Sequence, residues 1–365
     1  MQRKEKAVLK AIKGALARDG NARATIMPNG VSGSIMNITG KLKGSGTKVT
    51  VQTNFGPKRI DNCGPVNLAF AQFAATMPEA WTRGQCGHNV RLFAGGLEAS
   101  VAEKPSVEAV PSALWGSDPI LVRFPAVSLK PLVCFKPDLT RKAASVVHLN
   151  ADGPHDMVAV ATNGHILAKV PILMGRSGTK AKKVATECTI PIPVMQLAGE
   201  IVRILDHGKG IEMFIGDKTA TMALGGVNIS FGLRESPSLP WRRMMPEKST
   251  ASVEVPAKQV LKGLAKLAKV VGKAEPVSLE AAHATGRLVH LLGPGEEGTS
   301  VIIEDVFGTV VIEEAFGLQL QYWQQVMKSF SGAVRITLST TSGQPMTFSS
   351  TDDDVEIIVA QKRAQ

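Results

Sequence analysis

The stretch VEVPAKQVLKGLAKLAKVV (253–271) opens as an alternating, strand-like segment that ends at Pro256 and continues as an amphipathic helical segment. Apolar residues recur there at three- and four-residue spacing and predict a buried stripe formed by Val260, Leu264, Leu267 and Val271. Similar units begin near Lys4, Pro65, Phe124, Ile190, Val253 and Phe316, at intervals of 59 to 66 residues. This regular spacing predicts an array of similar folds and not an enzyme built around one pocket.

The six units, taken in pairs, divide the chain into three blocks of similar length, 1–118, 119–250 and 251–365. The joints fall in the turn-prone stretches ALWGSDP (113–119) and MMPEKSTAS (244–252). Alternating and β-branched runs follow the helical segments and indicate antiparallel strands joined by glycine-containing turns. We therefore predict an α+β fold in which each block places two helices on antiparallel β-sheets.

The charge balance favours a polyanionic partner. Lys and Arg number 42 against 31 Asp and Glu among 365 residues, which gives a formal net charge of +11. Lysines form rows opposite the apolar stripes of two helical segments: Lys6, Lys10 and Lys13 in one, and Lys262, Lys266, Lys269 and Lys273 in the other. A solvated helix face is the alternative explanation for such a row. Its recurrence in a repeat favours contact with nucleic acid.

The sequence gives no pattern typical of a catalytic or metal site. The cysteines stand far apart, the histidines lack the spacing of paired metal ligands, and no nucleophile stands with an orienting base. We expect no cofactor, no metal and no catalytic residue. No stretch approaches the ~20 apolar residues that span a bilayer, so we expect a protein without a membrane partner.

The stretch DMVAVATNGHILAKV (156–170) resembles a strand and turn in the middle domain of the bacterial β-type DNA sliding clamp. Further similar stretches follow in the same order in the second and third blocks: CTIPIPVMQLAGEIVRIL (188–205), NISFGLRESPSLPWRRMMPEK (228–248), VEVPAKQVLKGLAKLAKVV (253–271) and FGLQLQYWQQVMKSF (316–330). In the first block VNLAFAQFAATMPE (66–79) is similar, whereas residues 20–62 match poorly.

The resemblance implies three clamp domains per chain and a homodimer joined head to tail into a closed ring around double-stranded DNA. Such a ring is a processivity factor of the cytoplasm and nucleoid. It tethers the DNA polymerase, is placed by a clamp loader and has no enzymatic activity. Its phosphate contacts are independent of sequence. The expected DNA contacts are Lys6, Lys10, Lys13, Arg23, Lys130, Arg203, Lys262, Lys266 and Lys269.

The resemblance also implies an apolar pocket for short partner peptides. Its expected residues are Thr162, Gly164, His165, Leu167, Pro240, Met244, Met346, Val359 and Ala360, for which core and interdomain packing is the alternative. The expected dimer interface joins Val270 and Val271 to an edge around Val101 of the other chain, and packing within one chain is the alternative.

The chain departs from the family at several positions. It ends in AQKRAQ (360–365), Ile166 stands where a basic residue is common, and the chain is basic where many members are acidic. These features indicate a phage, plasmid or otherwise specialised clamp. Two other readings remain open: a basic, clamp-derived protein that binds nucleic acid as an open monomer, acting as inhibitor or decoy, and a nucleic-acid enzyme.

Overall fold

The computed structural model describes most of the chain. The described residues are 3–17, 22–29, 33–54, 65–76, 82–86, 89–94, 97–102, 108–115, 119–136, 141–151, 157–175, 188–206, 208, 210–233, 239–246, 251–281, 289–292, 300–303, 316–338, 345–351 and 355–360.

Each of the six predicted helical segments forms an α-helix. The helices are α1 (Arg3–Ala15), α2 (Leu68–Thr76), α3 (Ala126–Val133), α4 (Ile192–Leu205), α5 (Ala257–Leu267) and α6 (Leu320–Met327). A strand ends at or just before the first residue of each helix from α2 to α6: β4 (Pro65–Asn67), β8 (Ile120–Phe124), β12 (Thr189–Pro191), β16 (Ala251–Pro256) and β20 (Phe316–Gln319). The predicted strand-then-helix unit is therefore confirmed in these five copies.

The contacts divide the chain into two compact units. The first comprises Met1–Ala126 and Leu173–Glu235, and the second comprises Val127–Ile172 and Ser236–Gln365. This division rests on contacts and not on the sequence repeat, so the three blocks proposed above stay a prediction.

The first unit contains a large antiparallel sheet with the strand order β8-β13-β14-β15-β3-β2-β1-β4. Its further strands are β1 (Arg23–Asn29), β2 (Gly33–Lys41), β3 (Lys48–Thr53), β13 (Ile211–Ile215), β14 (Thr219–Leu224) and β15 (Val227–Gly232). A second sheet has the order β5-β6-β7, formed by β5 (Thr82–Cys86), β6 (Asn89–Ala94) and β7 (Leu97–Ala102). Helices α1 and α4 of this unit pack against each other.

The second unit contains an antiparallel sheet in which β16, β21, β22, β23, β11, β10 and β9 follow one another. Its further strands are β9 (Val146–Ala151), β10 (Met157–Thr162), β11 (Ile166–Met174, in this unit up to Ile172), β21 (Ala333–Leu338), β22 (Met346–Ser350) and β23 (Glu356–Val359). A four-stranded sheet of order β19-β18-β17-β20 adds β17 (Pro276–Ala281), β18 (Val289–Leu292) and β19 (Ser300–Ile303). The antiparallel pairings confirm the predicted α+β class.

Helix α5 shows how the amphipathic pattern positions a polar face. Val260, Leu264 and Leu267 are fully buried, and the helix packs against α6 and β19. Gly263 permits this close approach, because a Cβ atom there would lie 3.1 Å from both Ile303 Cδ1 and Val301 Cγ1. Burial of one face leaves the opposite face of α5 in solvent.

Candidate functional site

The lysine row of α5 lies on its exposed face. Lys258, Lys262 and Lys266 are exposed along the helix, and Lys269 is exposed just beyond its end. Positions 258, 262 and 266 are four residues apart, so they share one side of a helix with 3.6 residues per turn. The predicted Lys262 and Lys266, together with Lys258, therefore form a linear cationic surface.

Helix α1 carries a second cationic surface. Val8, Leu9 and Ile12 are buried, whereas Lys6, Lys10 and Lys13 are exposed. At the start of the same helix, Lys4 Nζ donates a hydrogen bond of 3.3 Å to the carbonyl oxygen of Leu205, the last residue of α4. A cation at this position is favourable, because the unpaired carbonyls of a helix C-terminus carry partial negative charge.

The other three predicted DNA contacts differ in their surroundings. Lys130 of α3 is exposed, and its Nζ donates to Ser331 Oγ at 3.3 Å. Arg23 lies in strand β1 and is half-buried, with Nη1 donating to the carbonyl oxygen of Ala22 at 3.1 Å. Arg203 is exposed on α4. Arg23 thus differs from the rest by its position on a strand.

Arg203 forms an ion pair within its own helix. Its Nε and Nη2 atoms donate to the two carboxylate oxygens of Glu200, at 2.9 and 2.6 Å. This pair, more than any other influence, holds the pKa of Glu200 below its usual value. The guanidinium of Arg203 is therefore matched by a carboxylate three residues away.

An apolar pocket of about 160 Å³ lies in the second unit. Six predicted residues line it: Thr162, Gly164, His165, Leu167, Met244 and Ala360. Its volume is close to the ~150 Å³ of an engineered cavity that holds benzene, so one aromatic or branched aliphatic side chain fits. The structure thus brings together residues from distant parts of the sequence.

A tight turn between β10 and β11 forms one wall of this pocket. Gly164 has a φ of +90°, which favours glycine, and its N–H donates to Thr162 Oγ at 3.0 Å. Asn163 Oδ1 accepts hydrogen bonds from the backbone N–H groups of His165 and Ile166, at 3.0 and 2.9 Å. These bonds fix the turn and explain the TNGH sequence.

A buried cluster of Val158, Val160, Leu167, Trp241 and Ile358 lies beneath the pocket, and Leu167 and Ile358 belong to both. Trp241 begins a short 3₁₀ turn (Trp241–Met244), at whose end Met244 reaches the pocket. Lys169 Nζ and Arg242 Cζ lie 5.1 and 4.6 Å from the Trp241 ring centroid, distances typical of cation–π contacts.

Three of the residues expected in the pocket do not line it. Pro240 is exposed and precedes the 3₁₀ turn. Val359 and Met346 are fully buried and pair with each other across β23 and β22. Because successive side chains of a strand point to opposite faces, Ile358 reaches the pocket and Val359 points the other way. Pro345, next to Met346, lines the pocket instead.

Four residues of this region were not predicted. Ile166, Pro345 and Ile358 line the pocket. Tyr322 of α6 stacks on His165, with ring centroids 5.7 Å apart and ring planes at 25°. Strand β23 reads Glu-Ile-Ile-Val, and its three consecutive apolar residues gave no signal that singled out Ile358. No sequence signal linked Tyr322 to His165, because their contact depends on the packing of α6.

The predicted interface residues fall in different environments. Val270, just after α5, is 66% exposed, whereas Val271 is 8% exposed and belongs to the core. Val101 lies in β7, where it pairs with Val90 of β6. Of the two valines, only Val270 has the exposure that an intermolecular contact requires.

Two titratable groups with shifted pKa values lie outside these regions. Burial raises the pKa of the Cys134 thiol to about 12, which makes it a poor nucleophile. Burial lowers the pKa of His148, whose Nε2 lies 3.1 Å from the carbonyl oxygen of Ala143. The described residues contain no cluster of three or more His, Cys, Asp or Glu arranged to hold a metal ion. None of the described helices is long and apolar enough to cross a membrane.

Solved structures of bacterial clamps match this architecture along its whole length. A DNA polymerase sliding clamp from Pseudomonas aeruginosa is 14% identical, with 100% of this chain and 98% of that chain covered and a TM-score of 0.69. This chain has the sliding-clamp fold. DNA polymerase III subunit beta from Borrelia burgdorferi, in complex with a natural product, is 13% identical, with 99% and 97% covered and a TM-score of 0.75.

The beta subunit from DNA polymerase of Streptococcus pyogenes is also similar, at 14% identity, 98% and 97% coverage and a TM-score of 0.72. No protein-family model and no curated protein matches the sequence. The resemblance to sliding clamps is thus confirmed at the level of the fold, and the clamp fold extends over the first block, where the sequence resemblance was weak.

Proposed function

We propose that this chain is a DNA sliding clamp, a processivity factor without catalytic activity that encircles duplex DNA and tethers a DNA polymerase. The observation that carries the proposal is the pair of exposed lysine rows on α1 and α5, in a chain with the clamp fold. Lysines contact phosphates without reading bases, and such contacts break and re-form easily along the duplex. This behaviour suits sliding.

A homodimeric ring is the assembly we propose. In the described part of the chain, β7 is an edge strand of its sheet and β19 is an edge strand of another. An edge strand presents unpaired backbone N–H and C=O groups that can pair with a second chain. Joining β7 of one chain to β19 of the next would continue both sheets, and the exposed Val270 would add apolar contact.

The pocket around Met244 and His165 is the proposed docking site for short peptides of the polymerase and the clamp loader. Its lining is apolar apart from Thr162 and His165, and such a lining suits a hydrophobic anchor residue. The peptide that this pocket accepts differs from the family's usual motif in our proposal, because Ile166 replaces a residue that is commonly basic.

We propose that the protein acts in the cytoplasm, at the nucleoid, and without a membrane partner.

The experiment that tests the proposal combines size with topology. Light scattering coupled to size-exclusion chromatography should give a dimer, and protein loaded on circular DNA should persist until the circle is cut. A monomer at micromolar concentration that binds circular and linear DNA alike would instead support the alternative, a clamp-derived inhibitor or decoy. Turnover of labelled DNA by the pure protein would indicate an enzyme.

A further inference from the structure

Helix α4 has a solvent face with one cation. Gln196 and Arg203 are exposed, Glu200 is partly exposed, and Arg203 is the helix's single Lys or Arg residue. The side chains of Arg203 and Glu200 are 70% and 44% exposed. Because Glu200 neutralises Arg203, this pair adds no net charge to the α4 face.

Arg203 and Glu200 form a bidentate ion pair that is exposed to solvent. Two parallel N–H donors of the guanidinium meet the two carboxylate oxygens, at 2.9 and 2.6 Å. A phosphate group offers a guanidinium the same forked arrangement of acceptors. Exposed ion pairs contribute little stability, so a phosphate of the duplex is able to compete with Glu200 for Arg203.

The Arg203–Glu200 pair lies close to the proposed DNA surface, because α4 packs against α1. Helix α4 packs against α1, whose Lys6, Lys10 and Lys13 are exposed. Lys4 of α1 reaches the C-terminal carbonyl of Leu205, two residues beyond Arg203. A duplex that lies along the α1 lysines therefore passes near the exposed face of α4.

We propose that Glu200 limits the strength of the duplex contact by holding Arg203 within α4, so that a DNA phosphate must displace the carboxylate before Arg203 contributes. This inference rests on the proposed function and adds a residue that weakens binding. The consequence is an intermittent contact: Arg203 alternates between a carboxylate fixed to the helix and phosphates that pass it. A clamp gains mobility along DNA from such an exchange.

The test uses the full chain and a short duplex of arbitrary sequence, with binding followed by fluorescence anisotropy over a series of KCl concentrations. We expect Glu200→Gln to tighten binding about fivefold to tenfold at ~0.1 M salt and to steepen the salt slope by about 0.9, the value for one added phosphate contact. Arg203→Gln should change affinity less than twofold, because Arg203 is already paired. The double variant should match Arg203→Gln.

Glu212→Gln is the matched control. Glu212 pairs with Arg123 at 2.9 Å, and these side chains are 49% and 53% exposed, but the pair lies on strands β13 and β8. This variant makes the same change in net charge and should leave DNA affinity within twofold of the wild type. An equal gain from Glu212→Gln would attribute the effect to net charge and overturn the inference.

Two further outcomes would also overturn it: wild-type affinity in Glu200→Gln, and an undiminished gain in the double variant, which would make Arg203 irrelevant. Failure of the proposed function looks different. In that case the wild type would show no salt-dependent duplex binding, or the binding would not respond to the lysines of α1 and α5.

Discussion

The imidazole of His165 stacks on the phenol ring of Tyr322, with 5.7 Å between ring centroids. His165 belongs to the turn at the mouth of the pocket, and its carbonyl oxygen accepts a 2.9 Å hydrogen bond from the N–H of Ala360. Tyr322, the chain's single tyrosine, comes from a helix. The stack therefore supports the pocket wall from outside the sheet.

Peptide binding should depend on Met244 and not on its neighbour. Met244 lines the pocket and is 41% exposed, whereas Met245 packs against the Trp241 cluster. We expect Met244→Ala to weaken binding of labelled peptides with a leucine or phenylalanine anchor by about tenfold, or ~1.4 kcal/mol, with an unchanged melting temperature. Met245→Ala should lower the melting temperature more than the affinity. Equal effects on both quantities in both variants would contradict a peptide-binding role.

The lysine row of α5 should govern the salt dependence of DNA binding. Lys262→Glu with Lys266→Glu is expected to weaken duplex binding at least tenfold and to reduce the salt slope by about 1.8, the value for two lost phosphate contacts. Lys41→Glu with Lys218→Glu alters net charge equally at exposed positions elsewhere in the chain. Anisotropy titrations at several salt concentrations compare the salt slopes of the two double variants. An unchanged slope for the α5 pair would remove these lysines from the DNA surface.

Dimer formation should be sensitive to Val270. A carboxylate at this exposed position would be desolvated in the proposed interface, so Val270→Glu should raise the dimer dissociation constant at least about tenfold. Val127 is exposed on α3, and Val127→Glu serves as the control. Sedimentation velocity over a dilution series measures both variants. A dimer as tight as the wild type would place Val270 outside the interface.

Two glycines should respond in opposite directions to alanine. Gly210 has a φ of +83°, and a Cβ atom there would lie 2.0 Å from the carbonyl oxygen of Phe124. Gly210→Ala should lower the free energy of unfolding by at least about 2 kcal/mol. Gly199 lies within α4 and has no atom near its Cβ position, so Gly199→Ala should raise stability by about 0.5–1 kcal/mol. Urea unfolding measures both changes, and destabilisation by Gly199→Ala would contradict the description of α4.

Acid should destabilise the fold through His148. Burial depresses its pKa below the 6.5 of the unfolded chain, so the unfolded state binds more protons as the pH falls through that value. The stability that neutral His148 allows is fully present above about pH 6.5. It is lost as the pH falls from there toward the lower pKa of His148 in the folded state. Unfolding at about pH 7.5 and about pH 5.0 should show a larger loss in the wild type than in His148→Gln. Parallel losses would assign the acid sensitivity to other groups.

The repeat in the sequence predicted the helices well because their driving force is local. In α5 one stripe of apolar residues determines both the helix and its buried face, and the lysines between them are consequently exposed. Six of the pocket residues, among them Gly164 and Met244, were expected only from the family resemblance and not from a local pattern in the sequence.

What the sequence did not predict depends on orientation and on partners. Val359 and Ile358 are equally apolar neighbours, and the register of β23 against β11 decides which one reaches the pocket. Val270 and Val271 are likewise distinguished only by the packing at the end of α5. The sequence shows that Glu200 stands three residues before Arg203. Only the structure shows that the two side chains are hydrogen-bonded to each other.

The two sheet edges, β7 and β19, are different strands, and so any bond between them joins unlike surfaces. Chains joined in this way follow one another head to tail in one direction around the proposed ring. The two faces of such a ring are not equivalent. A partner that recognises one side would always meet the duplex in the same orientation. The head-to-tail direction of the protomers would thus orient an enzyme bound to that face on the duplex, in addition to keeping it there.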